Sequence, residues 1–169
     1  MRHLLKPLSF LPALLIMYMI FGFSSDQGPE SSALSYTVSR KIVETVDEVG
    51  DFQWSDARIE HYTQVIHPKV RKAAHMTEYA LLAAAVSFPL YVYGLHGIGL
   101  MIIAGGFCVA FACMDEYHQT FVSGRSGQFT DVCIDSIGII AGIICVRIVG
   151  FIGRKTIFKP KKRRKRRSR

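Results

Sequence analysis

Long uncharged apolar runs alternate with short polar stretches along this chain. From Tyr79 to Met114, 36 consecutive residues include no Asp, Glu, Lys or Arg. As one helix that run would reach about 54 Å at about 1.5 Å per residue, far beyond a hydrocarbon core of about 30 Å. It must fold back, and Gly94-Leu95-His96-Gly97, with Gly99 close behind, offers the turn. The pattern predicts one helix over about 73–93 and another over about 98–114. Two more runs flank this pair. Leu8–Phe23 is uncharged and, counted from Leu4, gives about 20 residues with Lys6 free to snorkel. Val132–Ile152 carries charge only at Asp135 and Arg147, and its Gly138 and Gly142 form a GxxxG step that allows close helix approach. The expected fold is an all-α integral membrane bundle of four transmembrane helices, at about 4–23, 73–93, 98–114 and 132–152.

The stretch between the first two spans has a pattern of its own. Val38, Ile42, Val46 and Val49 recur near helical spacing, opposite Arg40, Lys41, Glu44, Asp47 and Glu48. Ser55 is placed to cap a second short helix that runs to His67, where Pro68 breaks it and can start the next. This outer loop is therefore expected to carry short amphipathic helices, on the membrane surface or over the mouth of the bundle. A secretory signal is the competing reading of the first apolar segment: Arg2 and Lys6 form a basic start, and Gly22-Phe23-Ser24 resembles a cleavage site. That reading leaves three spans.

Composition sharpens the picture. Half of the 169 residues are hydrophobic and 20% are charged, which argues against disorder and against an ordinary water-soluble domain. The net charge of +8 is misleading until it is located. Eleven of the 21 Lys and Arg residues lie between Arg154 and Arg169, so residues 1–153 carry 10 basic against 13 acidic side chains. A nucleic-acid partner is therefore not expected. Residues 1–153 read as one membrane domain and 154–169 as a polybasic, disordered tail. The tail should remain in the cytoplasm against anionic lipid, and four spans place the N-terminus there too. The reading is thus a multi-pass cell-membrane protein with both termini cytoplasmic. Cys108, Cys113, Cys133 and Cys145 have no zinc-module spacing.

With that orientation, the unusual polar residues collect on the outer side. Ser24 and Ser25 follow span one, and His75 and Glu78 open span two. Asp115, Glu116, His118 and Gln119 follow span three, while Arg125, Asp131 and Asp135 lead into span four. Ionisable groups near hydrocarbon are costly and tend to pair and to mark sites. His75 and Glu78 share a helical face at i, i+3, with Arg71 one turn earlier. If span three continues as a helix, Asp115 aligns with His118 and Gln119. Arg125 sits in Ser123-Gly124-Arg125-Ser126-Gly127, a loop suited to holding a phosphate or carboxylate. His75, Glu78, Asp115, Glu116 and His118 are the candidates for acid–base chemistry. Arg125, Gln119, Asp131, Asp135, Ser24 and Ser25 are the candidates for substrate contact. Plainer roles stand beside these: a His75–Glu78 pair tying helices together, and a surface salt bridge from Arg125 to Asp131. Zinc ligation by His75, Glu78, Asp115 or Glu116, and His118 is chemically feasible, but no metal-binding motif supports it, so neither metal nor cofactor is expected.

Several of these residues fall in ordered motifs. Arg71-Lys72-Ala73-Ala74-His75-Met76-Thr77-Glu78-Tyr79 resembles the RK-x-x-H-x-x-E-Y signature of the VanZ-like family of membrane proteins. Asp115-Glu116-Tyr117-His118-Gln119-Thr120-Phe121, followed by Gly124-Arg125 and Asp131-Val132, resembles its second signature. Asp135-Ser136-Ile137-Gly138 is similar to its last-helix start, and Phe23-Ser24-Ser25 to its motif after helix one, here with Asp26 inserted before Gln27. The likeness spans about residues 10–150. Ser123 stands where the family usually has proline, so this loop lacks that fixed φ.

The resemblance implies a contribution to glycopeptide resistance, since the family's namesake is an accessory protein that raises tolerance to teicoplanin. Two functions stay open from the sequence. One is a binding protein whose outward polar cluster contacts an envelope lipid, a lipid-linked cell-wall precursor or the glycopeptide itself. The other is a membrane-embedded enzyme acting on a lipid-linked phosphate or cell-wall precursor at the outer face. A third, purely structural role for the polar cluster is the baseline for both.

Overall fold

The computed structural model describes residues 7–25 and 28–156. The basic tail beyond Thr156, together with Arg2, Lys6, Asp26 and Gln27, lies outside the described residues. A short 3-10 turn, Pro7–Phe10, leads into α1 (Leu11–Ser25); α2 (Gly28–Gly50), α3 (Asp56–Val92), α4 (Gly97–Gln119) and α5 (Phe129–Thr156) follow. No strand occurs among the described residues. The chain turns at the expected place between α3 and α4, where Gly94 and Gly97 take φ values of 101° and 63°. Only glycine enters that left-handed region at little cost.

Three helices are long and apolar enough to cross a membrane among the described residues: Pro7–Ser25, Gly97–Gln119 and Phe129–Gly153. Their outward faces carry large apolar side chains, for example Leu15 at 60%, Ile102 at 66% and Ile137 at 60% exposure. A soluble monomer rarely displays so broad an apolar surface, whereas lipid covers it. The fourth expected segment, 73–93, is the second half of α3 and is not among the three. It carries His75 and Glu78 near its start, and it is the centre of the bundle. Tyr79, Leu82, Ala83 and Val86 are buried against Ile20 of α1, Leu100, Ala104 and Cys108 of α4, and Ile139 and Ile143 of α5.

The outer loop differs from the expected short helices. Pro68 does not break a helix there; α3 runs unbroken through it from Asp56 to Val92. Proline removes one N–H from the ladder, but neighbouring turns keep theirs and α2 packs alongside. Ser55 occupies the position before the first helical residue, as expected, yet its side chain makes no capping bond; its carbonyl accepts the Arg58 and Ile59 N–H groups at 2.8 and 3.0 Å. The buried face of α2 also differs. Ser39 and Val43 are enclosed, with Thr63 buried on α3, while Val38, Ile42, Val46 and Val49 point outward at 44–83% exposure. Polar links set this rotation. Ser35 meets His67 at 2.9 Å, Arg71 donates to Ser32 at 3.2 Å, and the Tyr36 hydroxyl donates to Glu60.

Candidate functional site

The glycines of α5 set the geometry of the polar end. A β-carbon on Gly138 would overlap the Met76 carbonyl oxygen, and one on Gly142 the Ala80 carbonyl oxygen. The GxxxG step thus lets α5 lie directly on the α3 backbone. This contact brings Asp131 and Asp135, at the start of α5, beside Lys72 and His75 of α3. Asp131 pairs with Lys72 at 3.0 Å. The expected Arg125–Asp131 bridge gives way to this pair, and Arg125 Nη2 instead donates to the Phe23 carbonyl at 2.7 Å. That carbonyl belongs to the last turn of α1, whose final carbonyls have no helical partner.

α4 continues as a helix past Met114 to Gln119, so Asp115 and Gln119 stack one turn apart. The Asp115 carboxylate, 3% exposed, accepts three bonds on Oδ2: from Ser24 at 2.8 Å, Tyr79 at 3.2 Å and Gln119 at 3.2 Å. Gln119 also donates to Ser24 at 3.3 Å. This network ties α1, α3 and α4 at one level, and every donor aims at one carboxylate. These bonds offset part of the cost of burying the carboxylate, whose Oδ1 is buried without a hydrogen-bond partner among the described residues. Next to it, Glu116 Oε1 accepts the Gln128 main-chain N–H at 2.6 Å and so anchors the loop between α4 and α5. Gly127 permits that anchoring, since a β-carbon there would stand 2.8 Å from the Glu116 carbonyl oxygen. Gly124 adopts φ 77°, a turn that an L side chain would strain.

These elements enclose a cavity of about 220 Å³. Arg71, Lys72, His75 and Arg125 supply its cationic and imidazole groups, and Glu116, Asp131 and Asp135 its carboxylates. Gln119, Ser126 and Gln128 add neutral polar groups. Of the candidates read from sequence, His75, Glu116, Gln119, Arg125, Asp131 and Asp135 therefore share one cavity. Glu78 stands behind it, with its carboxylate 3.5 Å from His75 Nδ1. Asp115 and Ser24 lie in the buried network rather than on the cavity wall. The His118 ring packs on Phe21 with centroids 4.4 Å apart. Ser25 is exposed and donates to the Phe21 carbonyl of its own helix at 2.7 Å, apart from the cluster. No group of three or more His, Cys, Asp or Glu placed to hold a metal ion occurs among the described residues.

Three contributors escaped the sequence reading of the site. Tyr79 completes the Asp115 network, and its spacing of i+4 from His75 was the available signal. Lys72 entered only as part of the Arg71–Tyr79 motif, and Gln128 not at all, because its contribution is a main-chain N–H that no side-chain motif encodes.

The arrangement can hold an anion between Arg71, Lys72 and Arg125, while its carboxylates accept bonds from hydroxyl or amine groups on the same ligand. Comparison with curated proteins and with solved structures gives no match. A family model described as VanZ/LLP1 matches residues 9–150, a range that includes all but the outermost residues of the membrane helices and every wall of the cavity. The chain belongs to the VanZ/LLP1 family.

Proposed function

We propose that this protein crosses the membrane four times, with α3 contributing the second crossing through its buried half and both termini in the cytoplasm. The polar cavity then opens at the outer face and binds the phosphate-bearing head group of an envelope lipid or a lipid-linked cell-wall precursor. Through that binding the protein contributes to glycopeptide tolerance, teicoplanin being the antibiotic to test first. One observation carries this reading: three basic side chains, Arg71, Lys72 and Arg125, and three carboxylates, Glu116, Asp131 and Asp135, line one cavity. A ligand with phosphate at one part and hydroxyl groups at another satisfies both sets, whereas a bare anion leaves the carboxylates unused. The polybasic segment 154–169 adds attraction to anionic lipid on the inner side.

A second reading is catalytic. His75 shares the cavity with Glu116 and Asp135, and Glu78 stands against its ring. An imidazole beside carboxylates and an arginine is a workable acid–base set for a lipid-linked phosphate. Mass spectrometry of a polyprenyl-phosphate or phospholipid mixture incubated with the full protein separates the two. Binding alone leaves the lipid masses unchanged, while turnover that vanishes in Glu116→Gln establishes the enzyme. Failure of every phosphate-bearing lipid to bind, at normal protein abundance, removes both readings.

A further inference from the structure

A second cavity, of about 360 Å³, lies at the opposite end of the bundle, between the start of α4 and the last turns of α5. Its charged group is Arg147, inside the apolar span Phe129–Gly153. A guanidinium cannot shed its proton, and a charge within a membrane span is penalised unless neutralised or drawn to the interface. Among the described residues the bond Arg147 makes is to the Met101 sulfur, at 3.2 Å. A thioether is a weak acceptor, and it carries no charge to offset the guanidinium. Among the described residues the wall holds no Asp or Glu. Arg147 stands six residues before the end of the span, about 9 Å along the helix, a distance from which a long basic side chain can snorkel toward the interface.

The rest of the cavity has two kinds of surface. On one side α4 begins at Gly97, and His96 before it makes no side-chain cap; both residues line the cavity together with Arg147. On the other side Ile144, Ile148 and Phe151 are 43–54% exposed and form an apolar wall. The occupant must therefore be anionic at one end and hydrocarbon at the other. With no carboxylate in the wall, the ammonium of a zwitterionic head group finds no partner there.

We propose that this cavity holds one anionic phospholipid of the leaflet opposite the polar cavity. Arg147 binds its phosphate, and Ile144, Ile148 and Phe151 receive an acyl chain. The site is separate from the outer cavity and does not depend on the function proposed for it.

Native mass spectrometry of the full chain, purified in mixed micelles of phosphatidylglycerol and phosphatidylcholine, tests this. Wild type should retain phosphatidylglycerol in preference to phosphatidylcholine. Arg147→Gln should retain one phosphatidylglycerol fewer, with affinity for that lipid down about tenfold or more. Ile148→Trp, which fills the apolar wall without altering charge, should lose the same lipid and carries the test if Arg147→Gln does not fold. Arg40→Gln, at an exposed position of α2 that lines neither cavity, should leave this lipid in place. Equal lipid counts in wild type and both inner-end variants overturn the proposal. Displacement by inorganic phosphate also overturns it, since the site would then take a free anion.

Discussion

Gly138 of α5 rests against the main-chain carbonyl of Met76 in α3 with no space for a side chain between them. The same relationship recurs one turn on, between Gly142 and Ala80. The atoms in the way are backbone, so a new methyl group cannot be absorbed by a rotamer change. It must push two helices apart, and with them the two sides of the polar cavity.

Gly138→Ala and Gly142→Ala should each destabilise the protein by about 1–3 kcal/mol, the usual range for overpacking. Gly106→Ala is the control, because nothing lies within 4 Å of a β-carbon there. Thermal unfolding in detergent reads the difference. A neutral Gly138→Ala would mean that the helices are not in this register.

The Asp115 network should behave as structure rather than as ligand contact. Tyr79→Phe removes one of three bonds to the carboxylate and should cost about 0.5–1.5 kcal/mol. Asp115→Ala leaves Ser24, Tyr79 and Gln119 without their shared acceptor and should cost more, about 1–3 kcal/mol for a buried group left unpaired. In the Tyr79→Phe protein that remains folded, head-group binding should persist. Loss of binding at full stability would bring Tyr79 into the site.

Arg125→Lys keeps the charge and loses the planar fork. Membrane abundance should stay near normal, while affinity for a phosphate-bearing lipid, and teicoplanin tolerance in a suitable host, should fall. Lys72→Gln breaks the pair with Asp131, whose side chains are 47% and 36% exposed, so stability should change by no more than about 1 kcal/mol. Binding should weaken more than stability does. Unchanged binding in both variants would remove the cationic wall from the site.

Topology can be read directly. In a cysteine-free background, a cysteine at Ser123 should react with an impermeant reagent in intact cells, and one at Ser168 should not. The reverse result would turn the polar cavity to the cytoplasm.

The outer hairpin of α2 and α3 offers a titration test. The Tyr36 hydroxyl and then the Gln64 amide donate to Glu60 and hold its carboxyl below the usual carboxylate range, and the same Glu60 bond raises the Tyr36 phenol. The linked stability is present above the ordinary glutamate pKa and fades as pH falls through the lowered value. Site-resolved NMR titration should show the Glu60 midpoint rise in Tyr36→Phe. An unmoved midpoint would deny the bond.

What depends on local chemistry was legible in the residues alone. Apolar runs with little or no charge marked the helices α1, α4 and α5. Gly94 and Gly97 fixed the reversal between α3 and α4, because few other residues take positive φ. Polar residues at the ends of those runs placed His75, Glu116, Arg125, Asp131 and Asp135 at one end of the bundle, and GxxxG announced a close contact. Tertiary structure alone decided who meets whom. Helical period cannot say that Asp131 takes Lys72 rather than Arg125, or that Asp115 gathers Ser24, Tyr79 and Gln119. Nor can it say that Gly138 sits on Met76. Those pairings follow from the distance and rotation between helices far apart in the chain. The same reason explains α3 running through Pro68, and α2 burying Ser39 and Val43 while its apolar stripe faces outward. Packing and cross-helix hydrogen bonds outweighed the local signals there.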